Sequence, residues 1–178
     1  VDGSVAVSTS AASGSTFALG TTTVECSATD AHGNTGTASF QVVVVDTTAP
    51  AVATSQSTST LWSPNHKMVA VTFSGVITDA TLPGSIAGFS ITSSEADQAK
   101  GEGKTTGDCN GKDGFTAPAT FSTAIAVAAD GSFSFTADLR AERAGGGSGR
   151  TYTVTLDVVD GAGNSTPVSY TVVVPHNQ

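Results

Sequence analysis

Basic residues are scarce in this chain: seven Lys and Arg stand against fifteen Asp and Glu among 178 residues, giving a net charge of -8 and a pI near 4.5. Without a basic stripe there is nothing to displace phosphate counterions, so no nucleic acid partner is expected. The same deficit argues against docking on anionic lipid. Long apolar runs are missing too. No stretch approaches the roughly 18 residues that a membrane helix needs, so no membrane insertion is expected, and the first residues lack a signal-peptide pattern. Cysteine occurs twice, with no C-x-x-C pair, which argues against a zinc site or dithiol redox chemistry. No G-x-S-x-G motif is present, and none of the three His residues has a nucleophilic Ser beside it in sequence. One Trp and two Tyr leave few polar-handled rings on which a sugar could stack.

Leucine is rare at five residues, whereas Val reaches 20, Thr 28 and Ser 22. Val and Thr are stiff at the first side-chain torsion and suit a pleated surface, while a Leu-poor chain rarely builds a helix bundle. An all-β fold is therefore expected. Charged residues amount to 12% and hydrophobic ones to 38%. The hydrophobic residues fall in alternating runs that can offset the entropy of ordering, so a folded chain is expected rather than a disordered one.

Residues 24–45 (VECSATDAHGNTGTASFQVVVV) and 154–175 (VTLDVVDGAGNSTPVSYTVVVP) repeat each other without a gap. Asp30 aligns with Asp160, Gly33 with Gly163, Asn34 with Asn164 and Phe40 with Tyr170. Each copy reads as a strand, a D-x-x-G-N turn and a second strand. The Asp side chain can accept from amides ahead of it, and Gly and Asn tolerate positive φ. Tyr152, Val154, Leu156 and Val158 share one face, matched after the turn by Val168, Tyr170, Val172 and Val174. Phe40, Val42 and Val44 are the corresponding inward set in the first copy.

D-T-T-A-P at Asp46 to Pro50 reads as a linker. It divides residues 1–46, room for about four strands, from residues 47–178. The second region has strand candidates at 51–56, 67–73, 86–92, 120–126 and 132–139 besides the hairpin, about seven in all, enough for an immunoglobulin-like sandwich. The expected fold is thus all-β: one complete immunoglobulin-like β-sandwich preceded by the C-terminal half of another. An open half-sandwich would leave an apolar face bare, so residues 1–46 are read either as a fragment or as completed by another subunit.

The stretch SGSTFALGTTTVECSATDAHGNT at Ser13 to Thr35, followed by FQVVVVDTTAP, closely resembles the C-terminal half of a hyalin repeat (HYR) domain. The second region is similar to a bacterial immunoglobulin-like module through LWSPNHKM at Leu61 to Met68, LRAER at Leu139 to Arg143, GRTYTV at Gly149 to Val154 and the final VPHNQ. The resemblance implies extracellular or cell-surface modules arranged in strings. It departs from the hyalin pattern in one respect: the common second Cys is absent from TGTASF. Cys26 aligns with the inward Leu156, which reads as a buried free thiol; a disulfide to a residue outside this sequence is the rival reading.

Acidic residues form the main candidate site. In such a sandwich the last hairpin turn and the loop after the second strand lie at the end where the chain arrives. That topology would bring Asp46 toward Asp79, Asp160 and Asn164. Carboxylates gathered without Lys or Arg repel one another, and Ca²⁺ with its oxygen ligands relieves the repulsion. The bland reading is that Asp160 caps its turn and Asp46 is solvated. A second set, Glu95, Asp97, Glu102, Asp108 and Asp113, lies in a Gly-rich stretch that reads as a mobile surface loop or, less simply, as a cation cage. Cys109 in that loop is expected to be exposed, and Trp62 to plug the sandwich end. Arg140, Glu142, Arg143 and Arg150 read as an ion-pair clasp on the AGGGSG loop or as a surface for an acidic partner.

The expected function is a non-enzymatic extracellular structural or adhesive segment of a bacterial surface or filament protein, with Ca²⁺ stiffening the linker. Its partners would be neighbouring domains or subunits, or a cell-surface glycan or protein. An accessory carbohydrate- or substrate-binding module of a secreted enzyme is the alternative.

Overall fold

The computed structural model describes residues 3–101 and 104–177. Glu102 lies outside them. Every strand pairing is antiparallel, and no helix occurs among the described residues. The chain divides into two compact units, Val1–Thr47 and Thr48–Gln178.

The first unit is one sheet of three strands, β1 (Val7–Thr9), β2 (Gly20–Thr29) and β3 (Thr35–Val44), in that order. This is one strand fewer than its length suggests. Val24 pairs with Phe40 and Cys26 with Ala38, so each pair shares a face. Val24 is buried, but Phe40 remains 54% exposed, because no second sheet of this unit closes over the apolar side. The inward assignment of Phe40 identified its face but not its burial. Cys26 is free and only half-buried for the same reason.

The second unit is a β-sandwich. Its strands are β4 (Ala51–Gln56), β5 (Met68–Thr78), β6 (Phe89–Ser93), β7 (Ala119–Phe121), β8 (Ser132–Arg140), β9 (Gly149–Val159) and β10 (Ser165–Pro175). They form the sheets β4-β5-β8 and β10-β9-β6-β7. Alternation in β9 and β10 holds residue for residue: Tyr152, Val154, Leu156 and Val158 are buried, as are Val168, Tyr170, Val172 and Val174. Facing them, Phe73 stacks on Phe135 at 5.3 Å and meets Tyr170 at 5.1 Å, joining the two sheets. The buried Tyr170 hydroxyl donates to the Ser74 carbonyl across the sandwich (2.9 Å), so its polar tip is satisfied.

β7 stops at Phe121, short of the expected 126, although Ile125 still bridges Ile86. Two ends of this sandwich follow from the register. The start of β4, the end of β5 and the β9–β10 turn share one end. The loops 57–67, 94–118 and 141–148 close the other.

Candidate functional site

At the first of these ends, the D-x-x-G-N turn has the geometry its residues dictate. Asp160 Oδ1 accepts from the amides of Ala162 and Asn164, both at 2.8 Å, and Oδ2 accepts from Asn164 Nδ2 at 2.8 Å. Gly163 sits at φ 95°, where a side chain would be strained. The first-unit copy repeats the arrangement: Asp30 Oδ1 accepts from His32 and Asn34, Oδ2 from Asn34 Nδ2, and Gly33 has φ 85°. Burial pulls the Asp160 carboxyl upward, but the hydrogen bonds from Asn164, Ala162 and Gly163 outweigh it and hold the pKa below the ordinary 3.8. For Asp30 the Asn34 side chain is the leading cause of the same depression.

Asp79 lies on the loop after β5, where its Oδ1 accepts from the Thr81 amide and hydroxyl, both at 2.9 Å. The Gly161 amide donates to the Thr81 carbonyl (2.9 Å) and ties that loop to the turn. As a result Asp79 and Asp160 each present an oxygen within 4.8 Å of the other. Asn164 is held by the carboxylate beside which it was expected to ligate. Asp46 is the penultimate residue of the first unit. Four residues on, the Pro50 carbonyl accepts from Thr166 Oγ1 at 2.6 Å, anchoring the incoming chain two residues past Asn164.

The second acidic set is divided among separate partners. Asp108 is fully buried and ion-paired with both Arg140 Nε (2.8 Å) and Arg150 Nη1, so each of its oxygens serves a guanidinium. Glu95 Oε2 accepts from the Ala144 amide (2.7 Å) and lies 3.6 Å from Arg150 Nε. Asp97 accepts from the Gly107 amide at 2.6 Å; burial, followed by the nearby Asp108, raises its pKa. Asp113 accepts from the Phe115 amide (3.0 Å).

The loop expected to be mobile is therefore pinned. Arg140 also donates to the carbonyls of His66 and Thr106, Arg150 donates to Ala96, and the Tyr152 hydroxyl donates to the Arg140 carbonyl. Cys109, expected to be exposed, is fully buried, because the loop folds back to bridge Leu139. Burial pushes its thiol pKa up to about 12, which makes it a poor nucleophile. The expected clasp of Arg140, Glu142, Arg143 and Arg150 omitted Asp108, Thr105 and His66. Buried Glu142 accepts from Thr105 Oγ1 (2.6 and 2.5 Å to its two oxygens) and pairs with His66 Nδ1 at 2.8 Å. Trp62, expected to plug the end of the sandwich, is 50% exposed.

No curated protein matches the chain. Residues 1–44 match the family model of the HYR domain, a family of extracellular adhesion-type modules, in agreement with the resemblance carried by Ser13 to Thr35.

Proposed function

We propose that the chain is a non-enzymatic structural segment of an extracellular surface, adhesive or filament protein, in which β modules in series are joined by a linker that Ca²⁺ stiffens. The supporting observation is the pair of carboxylates of Asp79 and Asp160, within 4.8 Å of each other on loops that carry no Lys or Arg. Two anions so placed repel, and a hard cation with oxygen ligands relieves that cost. Asp46 would complete the set. Four residues of chain span at most about 14 Å from the anchored Pro50, which keeps Asp46 within reach of the turn. Asn164 positions Asp160 and is the fourth member. The set Glu95, Asp97, Asp108 and Asp113 serves the loop rather than a cation in this reading, because arginines take both oxygens of Asp108.

Melting in Ca²⁺ and in EDTA tests the proposal. With free Ca²⁺ about tenfold above a dissociation constant near the 10⁻⁴ M common for extracellular modules, stabilisation of about 1.4 kcal/mol is expected. An identical transition in EDTA and in millimolar Ca²⁺ sinks it.

The exposure of Trp62 favours a second reading, an accessory module that binds glycan through this ring. That reading expects retention on insoluble polysaccharide and its loss in Trp62→Ala. The structural reading expects no retention of either protein.

A further inference from the structure

β3 is the long edge of the first unit. Its ten residues pair with β2 on one side, and its outer row of N–H and C=O groups has no main-chain partner among the described residues. Edge strands are normally guarded by charge, proline, shortness or a covering loop. β3 contains no Asp, Glu, Lys, Arg or Pro, and its Phe40 and Val43 are 54% and 60% exposed.

In the sequence repeat β3 corresponds to β10, with Thr37 standing where β10 has Pro167 and Val43 where it has Val173. Thr37 pairs with Ser27 as Pro167 pairs with Asp157, so the positions are equivalent in their sheets. The β10 edge is guarded twice over. The Val173 amide donates to the Ser59 carbonyl (2.9 Å), the Leu61 amide donates to the Val173 carbonyl (2.8 Å), and Gln56 Nε2 donates to the Thr171 carbonyl (2.9 Å). Pro167 lies in the same outward phase as Thr171 and Val173 and takes one more amide off that edge. Thr37, Gln41 and Val43 therefore turn their main-chain groups outward with neither guard. The other edges of the chain are short or covered. β1 and β7 have three residues each and β4 has six. β8 has nine, but the Asn110 amide donates to the Asp138 carbonyl (2.7 Å) and the Arg140 amide to the Asp108 carbonyl (3.1 Å) along it. Only β3 of another copy offers β3 an open edge of its own length.

We propose that β3 pairs antiparallel with β3 of a second copy about a two-fold axis, joining two three-stranded sheets into one of six strands. Opposing residues of an antiparallel pair share a face, so a symmetric register sets one residue against its own copy. Phe40 against Phe40 brings the two exposed rings into cross-strand contact, with Thr37 opposite Val43 and Ser39 opposite Gln41. No like charges meet at the seam, because β3 carries none. This contact goes beyond the Ca²⁺-stiffened linker: the linker joins modules within one chain, whereas the seam joins two chains side by side and needs no cation.

Sedimentation velocity of the full chain in EDTA tests the seam, at about 150 mM salt so that repulsion between two chains of net charge -8 is screened. Monomer should give way to dimer, and to nothing larger, as protein concentration rises. T37P copies the residue that β10 accommodates and removes one amide from each half of the seam. It should weaken the dimer at least about tenfold, with an unchanged circular dichroism spectrum. Q41K adds the edge charge that β3 lacks and should weaken it as well. In a C26S background, mild oxidation should cross-link F40C, whose two copies stand opposite each other at about 4.5–5.5 Å between Cα atoms. Q41C should stay uncross-linked, because its copies are offset by two residues and lie about 8 Å apart. A chain that stays monomeric, a dimer that T37P and Q41K both leave intact, or cross-linking of Q41C as readily as F40C overturns the proposal. None of these failures bears on Ca²⁺ binding, which the melting experiment reads separately.

Discussion

Asp108→Ala is expected to lower the unfolding free energy of the second unit by about 3–5 kcal/mol, the usual cost of removing one partner from a buried ion pair. The geometry explains why the figure belongs at the upper end for a single substitution. Asp108 is fully buried and joined to Arg140 and to the equally buried Arg150, so its removal takes from both guanidiniums the carboxylate they share inside the protein. Nearby Glu95, 3.6 Å from Arg150 Nε, is too far for a good hydrogen bond and replaces the lost contact poorly. The loss spreads further, because these arginines also hold the carbonyls of His66, Ala96 and Thr106 and so order the loop 94–118. Trp62 is the one tryptophan and lies in the second unit, so denaturant unfolding followed by its fluorescence reads this unit alone. A loss below about 1 kcal/mol would mean that the network contributes no more than exposed surface pairs do.

Phe73→Ala should cost a similar 3–5 kcal/mol, for a different reason. Phe73 is fully buried at the contact between the sheets, with rings of Phe135 at 5.3 Å and Tyr170 at 5.1 Å. Truncation leaves a cavity that strands from both sheets bound and cannot readily collapse into, so the cavity penalty adds to the lost transfer energy. Phe73→Leu keeps most of the volume and should cost well under half as much. If the two substitutions unfolded the unit equally easily, volume at this contact would not be what holds the sheets together.

The parts of the fold legible in the sequence are those with local causes. The two hairpins announce themselves because Asp, Gly and Asn act on amides within four residues, and the two turns form matching bonds 130 residues apart. Alternation in β9 and β10 is equally local, since a strand's side chains change face at every residue. The loop 94–118 has no such signature. Its order comes from partners far away in sequence: Asp108 to Arg150 is a separation of 42 residues, and His66 to Glu142 one of 76. Polar, Gly-rich composition around Cys109 suggested exposure, whereas the ion pairs of Asp108 with buried Arg150 and half-buried Arg140 hold the loop inward. Phe40 shows the converse limit. Periodicity identifies which face a side chain takes, but burial depends on whether another layer covers that face, and the first unit has a single sheet. The pairing of Asp79 with Asp160 was legible only through topology, because the residues are 81 apart and meet where Gly161 bonds Thr81.

Calorimetric titration of Ca²⁺ into the intact chain at neutral pH, repeated with Asp79→Asn, is the most direct test of the stiffened-linker account. Saturable binding of one ion per chain, abolished or weakened at least about tenfold by the loss of one carboxylate charge, is the predicted result. No binding at millimolar Ca²⁺, or binding that Asp79→Asn leaves unaltered, would contradict it.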